Sequence, residues 1–137
     1  MWSVNSGLYV MNGKRYFFDT NAIVALLKGN NEIVDLTKQA DFIAISVISR
    51  LEFFAFASLK EVDKNLFERF VARVTVVDLA MHNPVLLDAI SEIRIQSSLK
   101  LPDAIIAASA KSVNAILVTA DVKLANYAKD SSILFQP

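Results

Sequence analysis

The chain holds 137 residues, 54% apolar and 20% charged, with only three Gly and three Pro, which excludes a disordered or low-complexity protein and leaves room for one core. Fourteen basic residues balance fourteen acidic ones, so no global field draws it to nucleic acid or anionic lipid, and any polyanion site must be local. The absence of cysteine excludes disulfides, zinc–thiolate sites and thiol catalysis, while the longest uncharged stretch, residues 1–13, is too short to cross a bilayer.

Residues 1–10 carry neither the basic segment nor the apolar centre of a secretory signal, so a cytoplasmic protein is expected. They read either as an extension before a natural start at Met11, or as part of a small hairpin turning at Asn12-Gly13. The first strand is expected at Tyr16-Phe17-Phe18, followed by a helix from Ala22 to Lys28 that stops at Gly29-Asn30. A second helix, Asn31 to Ala40, precedes the strand Phe42-Ile43-Ala44-Ile45. Helices Val47 to Leu59 and Lys64 to Arg73 follow as a pair, then the strand Val74-Thr75-Val76-Val77. Pro84 to Ser98 sets Leu86, Leu87, Ile90 and Ile93 on one helical face, and a further helix opens at Pro102 and runs to Lys111. Ala115-Ile116-Leu117-Val118 is the fourth strand and Ile133-Leu134-Phe135 a weaker fifth. The clearest strands are apolar at nearly every position, as in a parallel sheet covered on both faces. Their alternation with helices predicts an α/β fold with right-handed crossovers.

Four acids fall where such a fold binds ligands, beyond the carboxyl ends of the strands. Asp19 follows the first strand and Asp121 the fourth. Glu52 lies just inside the helix after the second, and Asp103 lies in the first turn of the Pro102 helix. Singly, each Asp has an ordinary role as a helix cap or as a charge complementing the helix dipole. Glu52 sits among Leu51, Phe53, Phe54 and Phe56, so it is expected to be buried, with Arg50 or Arg94 as the available ion-pair partner. Jointly, four carboxylates in one pocket are tolerable only with a bound cation or with protons. Oxygen donors, no Cys and one His point to Mg²⁺ or Mn²⁺ rather than zinc. Such a centre suits phosphodiester hydrolysis, because the cation activates water and stabilises charge on the leaving oxygen.

Four blocks, in order and at matching spacing, carry a resemblance. They are Phe17-Phe18-Asp19-Thr20-Asn21-Ala22, Ile45-Ser46-Val47-Ile48-Ser49-Arg50-Leu51-Glu52, Leu99-Lys100-Leu101-Pro102-Asp103-Ala104-Ile105-Ile106-Ala107-Ala108 and Leu117-Val118-Thr119-Ala120-Asp121. With these the chain resembles the PIN-domain ribonucleases, most closely the VapC-type toxins of toxin–antitoxin pairs. The resemblance implies one PIN domain over residues 11–137, a three-layer sandwich with a parallel sheet of four or five strands between helices. It also implies a Mg²⁺- or Mn²⁺-dependent endoribonuclease that works as a homodimer and is held by an antitoxin lying over a groove near the active site. Asp19, Glu52, Asp103 and Asp121 would then be the metal-binding catalytic quartet. Asn21 and Thr119 would orient the carboxylates by hydrogen bonding.

Arg50, Arg94, Lys100 and Lys123 lie near the acidic blocks and are candidates for phosphate contacts. His82, in a Met81-His82-Asn83-Pro84 turn, reads as a surface residue. The apolar excess needs an outlet shared between core and interface, with Phe53, Phe54, Phe56, Leu59, Phe67 and Phe70 as candidates. Two other functions compete. A PIN-like protein whose main work is binding a partner would carry negligible nuclease activity. A receiver-type phospho-acceptor needs an acidic pair after its first strand, and no acid follows Asp19 before Glu32.

Overall fold

The computed structural model describes residues 13–137, so the alternatives for residues 1–10 and the turn at Asn12 lie outside the described residues. Five strands, β1 (Arg15–Phe18), β2 (Phe42–Ser46), β3 (Thr75–Val77), β4 (Ile116–Thr119) and β5 (Ser132–Leu134), form one sheet in the order β3-β2-β1-β4-β5. Every pairing is parallel, with Tyr16 opposite both Ile43 and Ile116, and Phe18 opposite Val118. The chain therefore steps outward from β1 to β3 on one side, then returns to lay β4 and β5 on the other. The switch between these directions falls between β1 and β4, where doubly wound sheets open a crevice.

Seven helices cover the sheet: α1 (Thr20–Leu27), α2 (Asn31–Gln39), α3 (Val47–Phe54), α4 (Glu61–Val71), α5 (Pro84–Gln96), α6 (Leu101–Ser112) and α7 (Val122–Ala128). Strand alternation sorts the core into two layers. Tyr16, Phe18, Ile45 and Val118 face Ile23, Ile33, Phe53 and Phe67 of α1 to α4. Phe17, Ala44 and Leu117 face Ile106, Ala107, Ala110 and Leu124 of α6 and α7. Leu86 and Ile90 of α5 pack on Ala104, Ile105 and Ala108 of α6. The result is the expected three-layer α/β/α sandwich, with five strands. No helix among the described residues is long and apolar enough to cross a membrane.

Two helix boundaries and one whole helix depart most from the sequence expectation. Helix α3 stops at Phe54 rather than continuing to Leu59. The chain reverses between Ala55 and Lys60, so that α4 can stack Phe67 on Phe53, with ring centroids 4.4 Å apart, and edge-on to Phe54 at 5.4 Å. Helix α4 begins at Glu61, before Lys64, because the Asp63 carboxylate accepts the Lys60 N–H at 3.1 Å and so caps the first turn. Helix α7 carries too few residues for its periodicity to register in the sequence.

The aromatic cluster also divides. Phe53 and Phe67 are core, Phe54, Leu59 and Phe70 pack half-buried against it, and only Phe56 is well exposed, at 46%. Most of the apolar excess that these Phe residues represent is therefore spent inside. More exposed apolar side chains lie elsewhere, at Met81, Val85 and Ile95.

Candidate active site

Strand β1 ends in a carboxylate. Asp19 is 7% exposed and caps α1, its Oδ1 accepting the Thr20 N–H at 2.7 Å. Its Oδ2 accepts the Thr119 hydroxyl at 2.8 Å and the Asn21 side-chain amide at 3.3 Å. Thr119 ends the neighbouring strand β4 and is fully buried. It receives the Asp121 N–H at 3.0 Å on the same oxygen that donates to Asp19. Asn21 completes the link by accepting the Ala120 N–H at 2.9 Å. Both Asn21 and Thr119 thus tie the β1 edge to the β4 edge across the topological switch.

The other acids arrive from three more elements. Asp121 caps α7, its Oδ1 taking the N–H groups of Lys123 at 2.9 Å and Leu124 at 3.2 Å. Asp103 stands in the first turn of α6, which opens with Leu101-Pro102. Glu52, on α3, is half-buried and its Oε1 accepts the Thr20 hydroxyl at 2.5 Å. No arginine pairs with it: Arg50 turns to Glu68 of α4 at 2.8 Å and lies over the Phe54 ring, replacing the ion pair expected for Glu52.

Electrostatics bring the four acids into one field. Burial first, with the charges of Glu52 and Asp103, pushes Asp19 from 3.8 up to about 6, against the pull of its Thr119 and Thr20 hydrogen bonds. Asp103 is likewise raised, first by desolvation and then by Asp121 and Glu52, while Lys123 and Lys100 draw it back. Of the four candidate phosphate-binding cations, these two lysines are therefore the ones felt at the acids. Lys123 also donates to the Ser98 carbonyl at 3.1 Å, lashing α7 to the loop before α6. Arg94 sits exposed on α5, and His82 is an exposed residue of its turn.

Among the described residues no three His, Asp or Glu side chains stand close enough together to hold a metal ion. The donor set nonetheless suits a hard divalent cation. It consists only of carboxylate and hydroxyl oxygens, its charges are mutually repulsive, and its most buried acid has hydroxyl and amide partners but no cationic one.

Residues 16–130 match the PIN domain family. The chain belongs to the PIN-domain family. Solved PIN-fold structures resemble it along most of their length. A toxin–antitoxin complex from Klebsiella pneumoniae aligns with TM-score 0.71 and 24% identity, covering 86% of this chain and 95% of that one. VapBC2 from Rickettsia felis, bound to a DNA fragment from its promoter, aligns with TM-score 0.66 and 24% identity over 88% and 96%. DNA-bound VapBC from Salmonella typhimurium gives 0.65 and 20% over 82% and 91%. Identities this low show a shared fold. No curated protein matches the chain.

Two polar residues of the candidate site were not singled out from sequence. Thr20 reaches both Asp19 and Glu52, and Ser49 lies 2.9 Å from the Thr20 hydroxyl. The available signals were the direct adjacency of Thr20 to Asp19 and the i, i+3 spacing of Ser49 and Glu52 on one helix.

Proposed function

We propose that the protein is a divalent-metal-dependent endoribonuclease, hydrolysing RNA phosphodiester bonds as the toxin of a type II toxin–antitoxin pair. The observation that carries this reading is the mutual electrostatic coupling of Asp19, Glu52, Asp103 and Asp121 at the carboxyl edge of the sheet. Structural ion pairs do not account for it, since Asp19 gains no cationic partner and Glu52 bonds a hydroxyl. In this reading the four acids hold Mg²⁺ or Mn²⁺, which when bound supplies Lewis-acid activation of water and neutralises charge on the phosphodiester. Asn21 and Thr119 keep Asp19 oriented, and Lys100 and Lys123 meet the phosphates flanking the cut. Arg94 remains free in this scheme to contact RNA from the face of α5, whereas Arg50 would have to leave Glu68 to do so.

The solved relatives described as toxin–antitoxin complexes support an antitoxin as the cognate partner. The groove lined by Asn21, Val24, Lys28 and Phe56 along α1 offers an apolar seat beside the acids for it. Met81, Val85 and Ile95 supply exposed apolar surface for homodimerisation.

The test is cleavage of RNA by antitoxin-free protein in Mg²⁺ or Mn²⁺. Asp19→Asn keeps a capping side chain and is expected to lose at least a hundredfold in rate. Equal cleavage by the variant and the wild type would remove the assignment. Wild-type protein that binds antitoxin yet cleaves no RNA would favour the partner-binding alternative.

A further inference from the structure

We propose that Thr20 is a positioning residue that clasps Asp19 and Glu52 together, and that Ser49 aligns it; this rests on the metal-site reading above. Asp19 and Glu52 come from different elements, the end of β1 and the last turn of α3, and their charges repel. Something must hold them at a fixed spacing before a cation arrives. Thr20 touches both. Its N–H donates to Asp19 Oδ1 at 2.7 Å, and its hydroxyl lies 2.5 Å from Glu52 Oε1 and 2.9 Å from Ser49 Oγ.

The direction of this chain follows from the inventory of protons. An ionised carboxylate can only accept, and a hydroxyl carries a single proton. Thr20 therefore donates to Glu52, and its oxygen accepts the proton of Ser49. The series runs one way, Ser49 to Thr20 to Glu52, with Ser49 fully buried and Thr20 8% exposed, so water does not compete for either hydroxyl. Ser49 and Glu52 lie one helical turn apart on α3, so the same helix that carries the acid also carries the group that aims the clasp.

The arrangement differs in kind from the Thr119 and Asn21 contacts. Those tie the Asp19 carboxylate to the backbone of Ala120 and Asp121, whereas Thr20 bonds the carboxylates of two acids. Removing its hydroxyl leaves Glu52 to retreat from Asp19, and the pocket loses a pre-set pair of donors. Hydrogen-bonding partners of this sort commonly change metal affinity or activity by about 10- to 100-fold.

The experiment titrates Mn²⁺ into the full-length protein by calorimetry, alongside RNA cleavage and far-UV circular dichroism. Thr20→Val, which keeps the shape and removes the hydroxyl, is expected to weaken Mn²⁺ binding by about 10- to 100-fold and to lower kcat more than KM. Thr20→Ser should restore both. Ser49→Ala should show a smaller loss in the same direction and serves where Thr20→Val does not fold. Folded Thr20→Val or Ser49→Ala protein with wild-type Mn²⁺ affinity overturns the clasp while leaving the nuclease reading in place. Wild-type protein that takes up no Mn²⁺ overturns that reading itself, and the clasp with it.

Discussion

The two ends of strand β1 carry opposite charges and are treated in opposite ways. At its start, the Arg15 guanidinium donates to the Val113 carbonyl at 2.7 Å and the Asn114 carbonyl at 3.2 Å, and stacks 3.9 Å above the Phe42 ring. Positive charge there meets the carbonyl end of α6, which is where a cation stabilises a helix. Just beyond the other end, Asp19 is buried beside carboxylates and is raised to about 6. One end is electrostatically satisfied and the other is frustrated, within a few residues of each other. Retained frustration of this kind clusters at functional sites, in keeping with the cation proposed for this end.

The contrast can be broken most sharply at Asp19. Its folded-state value lies above the unfolded 3.8, so the native protein binds more protons between pH 3.8 and about 6, and stability falls as pH rises through that window. Above it the metal-free protein carries the full cost, about 3 kcal/mol. Metal-free Asp19→Asn should therefore be more stable than wild type at pH 7.5, and denaturant titrations should find the gap closing towards pH 4. A gap independent of pH would mean that the carboxylate is not strained.

Arg15 tests the satisfied end. Arg15→Met loses both carbonyl contacts and the guanidinium's stacking on Phe42, and should cost about 2 kcal/mol at every pH from 5 to 8. A pH-dependent loss would mean that the two ends are coupled. The smallest effect is expected at Lys129, beside the same hollow as Asn114, where the backbone stands at φ 52° without a glycine. Lys129→Gly should stabilise by about 1 kcal/mol, read as a rise in Tm with no change in RNA cleavage.

The sheet was legible because Tyr16, Phe17 and Phe18 are apolar in succession, as a short strand buried on both faces requires. Strand ends in a parallel sheet fall at one edge, so the placement of Asp19 and Asp121 there followed from chain order alone. Asp103 was conditional, since nothing local says on which side a helix after a long crossover will start. The partners of Glu52 were not legible. Its apolar neighbours suggested an arginine, but the bond comes from Thr20, 32 residues away in sequence, and Arg50 is claimed by Glu68. Short polar contacts between elements leave no periodicity to read. The break after α3 was hidden for a related reason, because Phe56 continues the apolar run while the chain is already turning.

The central claim is that mutual repulsion among four acids is relieved by a divalent cation. Thermal unfolding with and without Mn²⁺ at pH 7.5 tests it most directly. At a hundredfold excess over Kd, wild-type Tm should rise by about 5–10 °C, and Asp19→Asn, the more stable protein without metal, should gain far less, so that its lead nearly closes. Equal Mn²⁺ shifts in both proteins, or none in the wild type, would contradict it.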